Sequence, residues 1–152
     1  MMKKAKHGYT MLEVVIAMAV VLAVSASAII CIDAFSKISA RMISRNEAVT
    51  TAENALEGFK FANSLPEFDS LVGTLSNRII ERDSFTNPSP GGDNIGRAAY
   101  TFQNTYYSVS IYVVYNYDAR TATCSISVLD TEHGLFIFSV NNYTKAVVNY
   151  GS

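Results

Sequence analysis

The 152-residue chain is poor in the residues that build catalytic and disulfide-bonded sites, with two histidines and two cysteines. No Ser–His–Asp or Cys–His arrangement is suggested by the two histidines and two cysteines, and nothing in the sequence motivates an enzyme. Cys31 lies in an apolar run and Cys124 in a β-like segment far along the chain. A bond between them is geometrically disfavoured, so both read as free, buried, small hydrophobic side chains that carry no signal about redox compartment. Helix breakers are missing over a long stretch. There is no proline between Tyr9 and Leu65, and Gly58 is the only glycine there. Charge is missing from Val14 to Ile32. A broad basic surface is missing from the distal part: residues 66–152 hold Arg78, Arg82, Arg97, Arg120 and Lys145 against eight acidic residues. That balance gives no support to a nucleic-acid partner.

What is present begins with a basic leader, Lys3, Lys4 and Lys6, followed by the uncharged run Val14–Ile32. Nineteen residues of helix span ~28 Å at ~1.5 Å per residue, which matches a bilayer core of roughly 30 Å. A membrane segment over about 14–32 is therefore expected. Flanking charge does not orient it, because Lys37, Arg41 and Arg45 balance the three lysines. The short leader and the large following domain favour the leader staying inside. Ala26-Ser27-Ala28 also has the layout of a signal-peptidase site. On that reading a secreted binding module would start at Ile29. Against it, the apolar run continues through Ile29–Ile32, and Glu13 is an odd residue to head a signal peptide. A third reading is an uncleaved single-pass anchor carrying a small binding domain.

Helical patterning continues beyond Asp33. Phe35, Ile38, Met42, Val49, Ala52, Leu56 and Phe59 recur at spacings of three and four, interrupted at Arg45. One helix over 9–65 is expected, apolar all round in its first half and amphipathic in its second, with this stripe against its own domain. Ser64-Leu65-Pro66-Glu67 fits a capping box. It predicts a second helix over about 66–82, with Ile79–Phe85 as an alternative strand. TNPSPGGDNIGR, residues 86–97, reads as a loop. From Tyr106 onward strict alternation predicts four short strands in an antiparallel meander, with turns at 118–121, 130–134 and Asn141-Asn142. One face should rest on the amphipathic helix. The fold class is thus α+β: a long N-terminal helix and a small C-terminal β-meander.

The opening residues resemble a family. Lys-x-x-His-Gly-Tyr-Thr-Met-Leu-Glu ahead of a hydrophobic run is similar to the prepilin signature of type IV pilins and of type II secretion or competence pseudopilins. The resemblance implies a leader of residues 1–8, a helix of 9–65 and a pilin-like globular part of 66–152. It implies cleavage by a prepilin peptidase between Gly8 and Tyr9, N-methylation of Tyr9, and an assembly role for Glu13. It also implies other pilin or pseudopilin subunits and an inner-membrane assembly platform as partners, with membrane lipid before assembly. Ile30 and Leu22 stand where major pilins carry a helix-breaking proline and a glycine, and an unbroken helix is more typical of minor subunits. A carboxylate costs roughly 2.5–3.5 kcal/mol at a bilayer centre and less near a helix start. An α-amino group freed at Tyr9 of one subunit would neutralise Glu13 of the next.

Three further groups draw attention. Asp130, Glu132 and His133 are metal-ligand types in a turn, but lack a second ligand set and read as a solvated turn. Asp93-Asn94 lacks the run of oxygen ligands that calcium takes. The tyrosines at 106, 107, 112, 115 and 117 read as half core and half edge. No cofactor and no metal are expected.

Overall fold

The computed structural model describes residues 10–74, 80–88 and 94–147. The chain divides into two compact units between Ala40 and Arg41. That division falls inside helix α1, which runs Met11–Phe61.

In the first unit every side chain from Thr10 to Ile38 is exposed, large apolar ones included. The helix is long and apolar enough to cross a membrane. The serines of its apolar run are satisfied locally. Ser25 Oγ donates to the Val21 carbonyl at 2.8 Å and Ser27 Oγ to that of Ala23 at 2.9 Å. Such back-bonding hides a hydroxyl from an apolar environment. The first charges after the run, Asp33 and Lys37, pair at 2.8 Å one turn apart.

The second unit is a five-stranded antiparallel sheet in the order β1 (Glu81–Thr86), β2 (Ile95–Gln103), β3 (Tyr107–Asn116), β4 (Thr121–Asp130) and β5 (Leu135–Ala146). Helix α2 (Leu65–Thr74) and the later part of α1 share one core with it. Alternation in β3 and β4 is as the sequence predicts. Tyr107, Val109, Ile111, Val113 and Tyr115 are buried, as are Ala122, Cys124, Ile126 and Val128. Phe59 sits at the centre, fully buried, with the rings of Phe68 and Tyr115 edge-on at 5.9 and 5.8 Å.

The structure corrects several expectations. The buried face of α1 is Ala48, Thr51, Ala52, Ala55, Gly58 and Phe59. Of the predicted stripe only Ala52 and Phe59 are fully buried, while Phe35, Ile38 and Met42 are exposed. The sheet supplies bulky inward side chains, so the volume left to the helix suits small residues, and close packing decides over hydrophobicity. Helix α2 ends at Thr74, and the alternative strand reading is the one realised from Glu81. Leu75 and Ile79 lie outside the described residues. Part of the predicted loop is strand: β2 begins at Ile95, which makes five strands. Asn141-Asn142 is not a turn. It is an irregularity inside one twelve-residue strand, with Asn142 at φ 53°. Cys124 is buried as expected, but Cys31 is exposed.

The α2 capping box forms. The Glu67 amide donates to Ser64 Oγ at 3.3 Å, and the Glu67 carboxylate accepts the Asn63 amide at 2.7 Å.

Candidate functional site

Of the predicted site residues, Gly8 and Tyr9 lie outside the described residues, as do Lys3, Lys4 and Lys6. Glu13 is described, and its setting is specific. Thr10 is the N-cap of α1: its carbonyl accepts the Glu13 amide at 3.0 Å and the Val14 amide at 3.3 Å. Its hydroxyl accepts the Glu13 amide at 3.4 Å. Glu13 is thus the third helical residue, where one of the four orphan amides needs a partner. The carboxylate there faces the positive end of the helix dipole. It is exposed and has no hydrogen-bond or ion-pair partner among the described residues. A free carboxylate therefore heads a run of uncovered apolar side chains from Val14 to Ile32.

In the second unit the turn containing Asp130, Glu132 and His133 is occupied, not simply solvated. Arg41 Nη2 donates to Asp130 Oδ2 at 2.6 Å and Arg41 Nη1 to Glu132 Oε2 at 2.9 Å. Arg41 Nη2 lies 2.7 Å from His133 Nδ1, and Nε lies 3.4 Å from the Tyr107 hydroxyl. The same His133 Nδ1 lies 3.3 Å from Asp130 Oδ2, so the ring bridges the guanidinium and the carboxylate, and its tautomer sets which of the two it bonds. Burial by itself would raise the Asp130 carboxyl. Hydrogen bonds from Arg41, from the His133 amide and ring, and from the Glu132 amide outweigh it and hold the group at about 2. Hydrogen bonding to Tyr107, then to Asp130, pushes the Arg41 guanidinium above its ordinary value. These three metal-ligand types are therefore committed to a cation of the chain itself. Asp93 lies outside the described residues.

The other end of the same helical stretch is also held from the sheet. Lys145 Nζ donates to the carbonyls of Lys60 (3.2 Å) and Ala62, and lies 4.9 Å over the Phe59 ring. Tyr115 Oη donates to the Ala62 carbonyl at 3.3 Å. These groups satisfy carbonyls that a helix end leaves unpaired. Burial pulls Lys145 below the ordinary ammonium range. Between the two ends, Asn104 Nδ2 donates to the Ser44 carbonyl at 3.0 Å. Sequence reasoning missed Arg41, Asn104 and Lys145, because their partners lie 60 or more residues away and no local spacing signals them.

The tyrosines divide by face. Tyr107 and Tyr115 are core, Tyr106 and Tyr117 are half-buried, and Tyr112 is exposed on the other side of the sheet. Burial raises the Tyr115 phenol and drives the Cys124 thiol up to about 12. Cys124 is thereby an inert packing residue.

Comparison with known proteins adds one finding. Residues 3–29 match a family model described as the prokaryotic N-terminal methylation motif. No curated protein and no solved structure matches the chain. The motif family is structural and not catalytic, and the motif implies processing by a prepilin peptidase and assembly with other pilin-type subunits in general. Over its first residues the chain carries the signature of type IV pilins and pseudopilins, joined to a pilin-like layout of a long apolar helix and an antiparallel sheet.

Proposed function

We propose that this chain is a minor subunit of a type IV pilus, type II secretion or competence-type filament. It is inserted with its N-terminus inside and its sheet unit outside the cytoplasmic membrane. It is cut between Gly8 and Tyr9, methylated at Tyr9, and assembled through the first part of α1. The observation that carries this reading is Glu13: a carboxylate without a partner among the described residues, on the third residue of a helix whose next nineteen side chains are all exposed.

Electrostatics supplies the mechanism. Once subunits bundle, Glu13 loses water, and a buried carboxylate without a partner is strongly disfavoured. The α-amino group that cleavage creates at Tyr9 of a neighbour is a cation of matching charge at the same depth. Pairing them lets the apolar helices leave lipid and pack on one another, and a subunit lacking either charge is discriminated against. Methylation at Tyr9 leaves the amine basic and cationic.

Intact-mass and N-terminal peptide measurements on membrane-extracted protein test the reading. The expected mature start is Tyr9 carrying one methyl group. A start at Ile29 would make the chain a secreted module, and an intact Met1 end would make it an uncleaved anchor. Glu13→Ala should leave the sheet unit folded and membrane insertion intact, yet deplete the subunit from sheared filaments at least about tenfold, the equivalent of 1.4 kcal/mol of assembly free energy. Wild-type incorporation by that variant would overturn the pairing.

A further inference from the structure

The sheet has a second face, turned away from the helices, and it is built differently from an ordinary solvated surface. The register aligns Thr101 with Ser110 and Ser110 with Ser127 across β2, β3 and β4. In the next row Ala99 faces Tyr112, and Tyr112 faces Ser125. Small side chains thus floor a depression of about 220 Å³, and Tyr112, 45% exposed, stands in it as a wall.

Both outer walls come from β-bulges. In β1 the register slips between Arg82 and Ser84, and the extra residue, Asp83, lines the cleft and accepts a hydrogen bond from Thr101 Oγ1. In β5 it slips opposite Cys124–Ile126, and Asn141 lines the opposite end. Bulges re-aim side chains and recur beside functional sites. Two independent bulges in separate edge strands here bring a carboxylate and an amide to the two ends of one cleft. The hydroxyls of Ser110 and Ser127, side by side on its floor, have no hydrogen-bond partner among the described residues.

The chemistry of this cleft selects its occupant. Unengaged hydroxyls both donate and accept, the carboxylate accepts, and the amide does both, which is the complement of a polyol. Tyr112 offers an aromatic face to an apolar ring surface. Among the described residues Asp83 is the one charged side chain lining the cleft, so phosphates, sulfates and acidic sugars meet repulsion there and no counter-charge from those residues. The volume lies below the roughly 300–1,000 Å³ of sites for drug-sized ligands and suits a single six-membered ring with its substituents. We infer that the outer face of the sheet, between the β1 and β5 bulges, is a binding site for one neutral pyranose ring of a glycan, stacked on Tyr112 and held by Asp83, Ser110, Ser127 and Asn141. This site is independent of processing at Gly8 and of assembly through Glu13.

Saturation-transfer NMR on the full chain tests it, in micelles of a zwitterionic detergent without a sugar headgroup. The probes are the methyl glycosides of glucose, galactose and mannose, with glucuronate and glucosamine as charged controls. At least one neutral glycoside should receive saturation through its ring protons, with a dissociation constant on the order of 1 mM. Tyr112→Ala should abolish the transfer, and Ser127→Leu, which fills the floor, should do the same without touching the aromatic wall. Phe136→Ala, at an exposed position outside the cleft, should not change it. No transfer to any neutral glycoside, transfer that survives both cleft variants, or equal transfer to glucuronate would each overturn the site. Stronger transfer to glucosamine would overturn the neutral specificity and make Asp83 the anchor of an aminosugar site.

Discussion

Helix α1 is one continuous element with two unlike halves. From Thr10 to Ile38 its side chains are exposed, and the hydroxyls of Ser25, Ser27 and Ser36 bond to the helix's own carbonyls. From Arg41 it carries a face of alanine, threonine and glycine that belongs to the sheet's core, and charged side chains reach it from β4, the turn after it, and β5. The first half meets its solvation requirement with something outside the chain; the second meets it with the chain's own sheet. A helix that is apolar all round and a helix with a stripe of small residues are therefore two answers to the question of what covers the helix. The position of the answer switches within a turn or two of Ala40.

The two cysteines give the widest separation. Cys31 belongs to the uncovered half and Cys124 to the core. Cys124 reacts only after unfolding, since its thiol is both inaccessible and displaced to about 12. Each unit of that displacement suppresses the reactive thiolate about tenfold. An apolar maleimide in micelles should label Cys31 at least about 100-fold faster than Cys124, read from peptide masses against time. Denaturant should remove the difference. Equal rates in the folded protein would show that the sheet unit opens far more readily than its core implies.

A core substitution sharpens the contrast in energy. Phe59→Ala removes a fully buried ring with several aromatic neighbours and should cost about 3–5 kcal/mol of sheet-unit stability. Ile29→Ala, at an exposed position of the same helix, should leave the sheet unit's unfolding midpoint unchanged. Near-ultraviolet circular dichroism of the buried tyrosines reports the transition.

Acid probes the Arg41 contact. The folded Asp130 carboxyl lies at about 2, against an ordinary 3.8. Between those values the unfolded chain binds more protons than the folded one, so the contribution of Asp130 is present above about 4 and is lost as pH falls through about 2. Asp130→Asn should therefore melt below wild type near neutral pH and converge on it near pH 2. A constant gap between the two curves would mean that Arg41 does not set the ionisation of Asp130.

Legibility in the sequence follows the same divide. The uncovered half was readable because a bilayer-length run without charge needs no knowledge of other residues, and the leader pattern is local. Strands β3 and β4 were readable because burial on one face only leaves strict alternation. The packed face of α1 was misread: Met42 and Phe35 outrank Ala48 and Ala55 in hydrophobicity, but the sheet had already filled the volume with Tyr107, Tyr115 and their neighbours. Strand β2 escaped notice because its start follows a Gly- and Pro-rich stretch. Asn141-Asn142 signalled a turn and formed a bulge, since both motifs use a residue that tolerates positive φ. The Arg41 and Lys145 contacts join residues more than 60 positions apart, which no spacing rule reaches.

The smallest effect falls at the very start of the uncovered half, and it separates folding from assembly most cleanly. Thr10 caps the helix through its hydroxyl and carbonyl, and replacing such a cap with alanine costs about 1 kcal/mol of local helix stability. Nothing in the sheet unit depends on that turn, so Thr10→Ala should not move its melting curve. The loss should show instead as faster hydrogen exchange at the Glu13 amide, which donates to the Thr10 hydroxyl. Thr10→Ser keeps an acceptor oxygen and should restore slow exchange. The same turn holds Glu13 in helical geometry at the depth where a neighbour's amine would meet it. If fraying this turn weakens filament incorporation while Thr10→Ser rescues it, the cap acts by positioning the carboxylate. If incorporation is unchanged while exchange accelerates, the bundle of apolar helices supplies the order that the isolated helix start lacks.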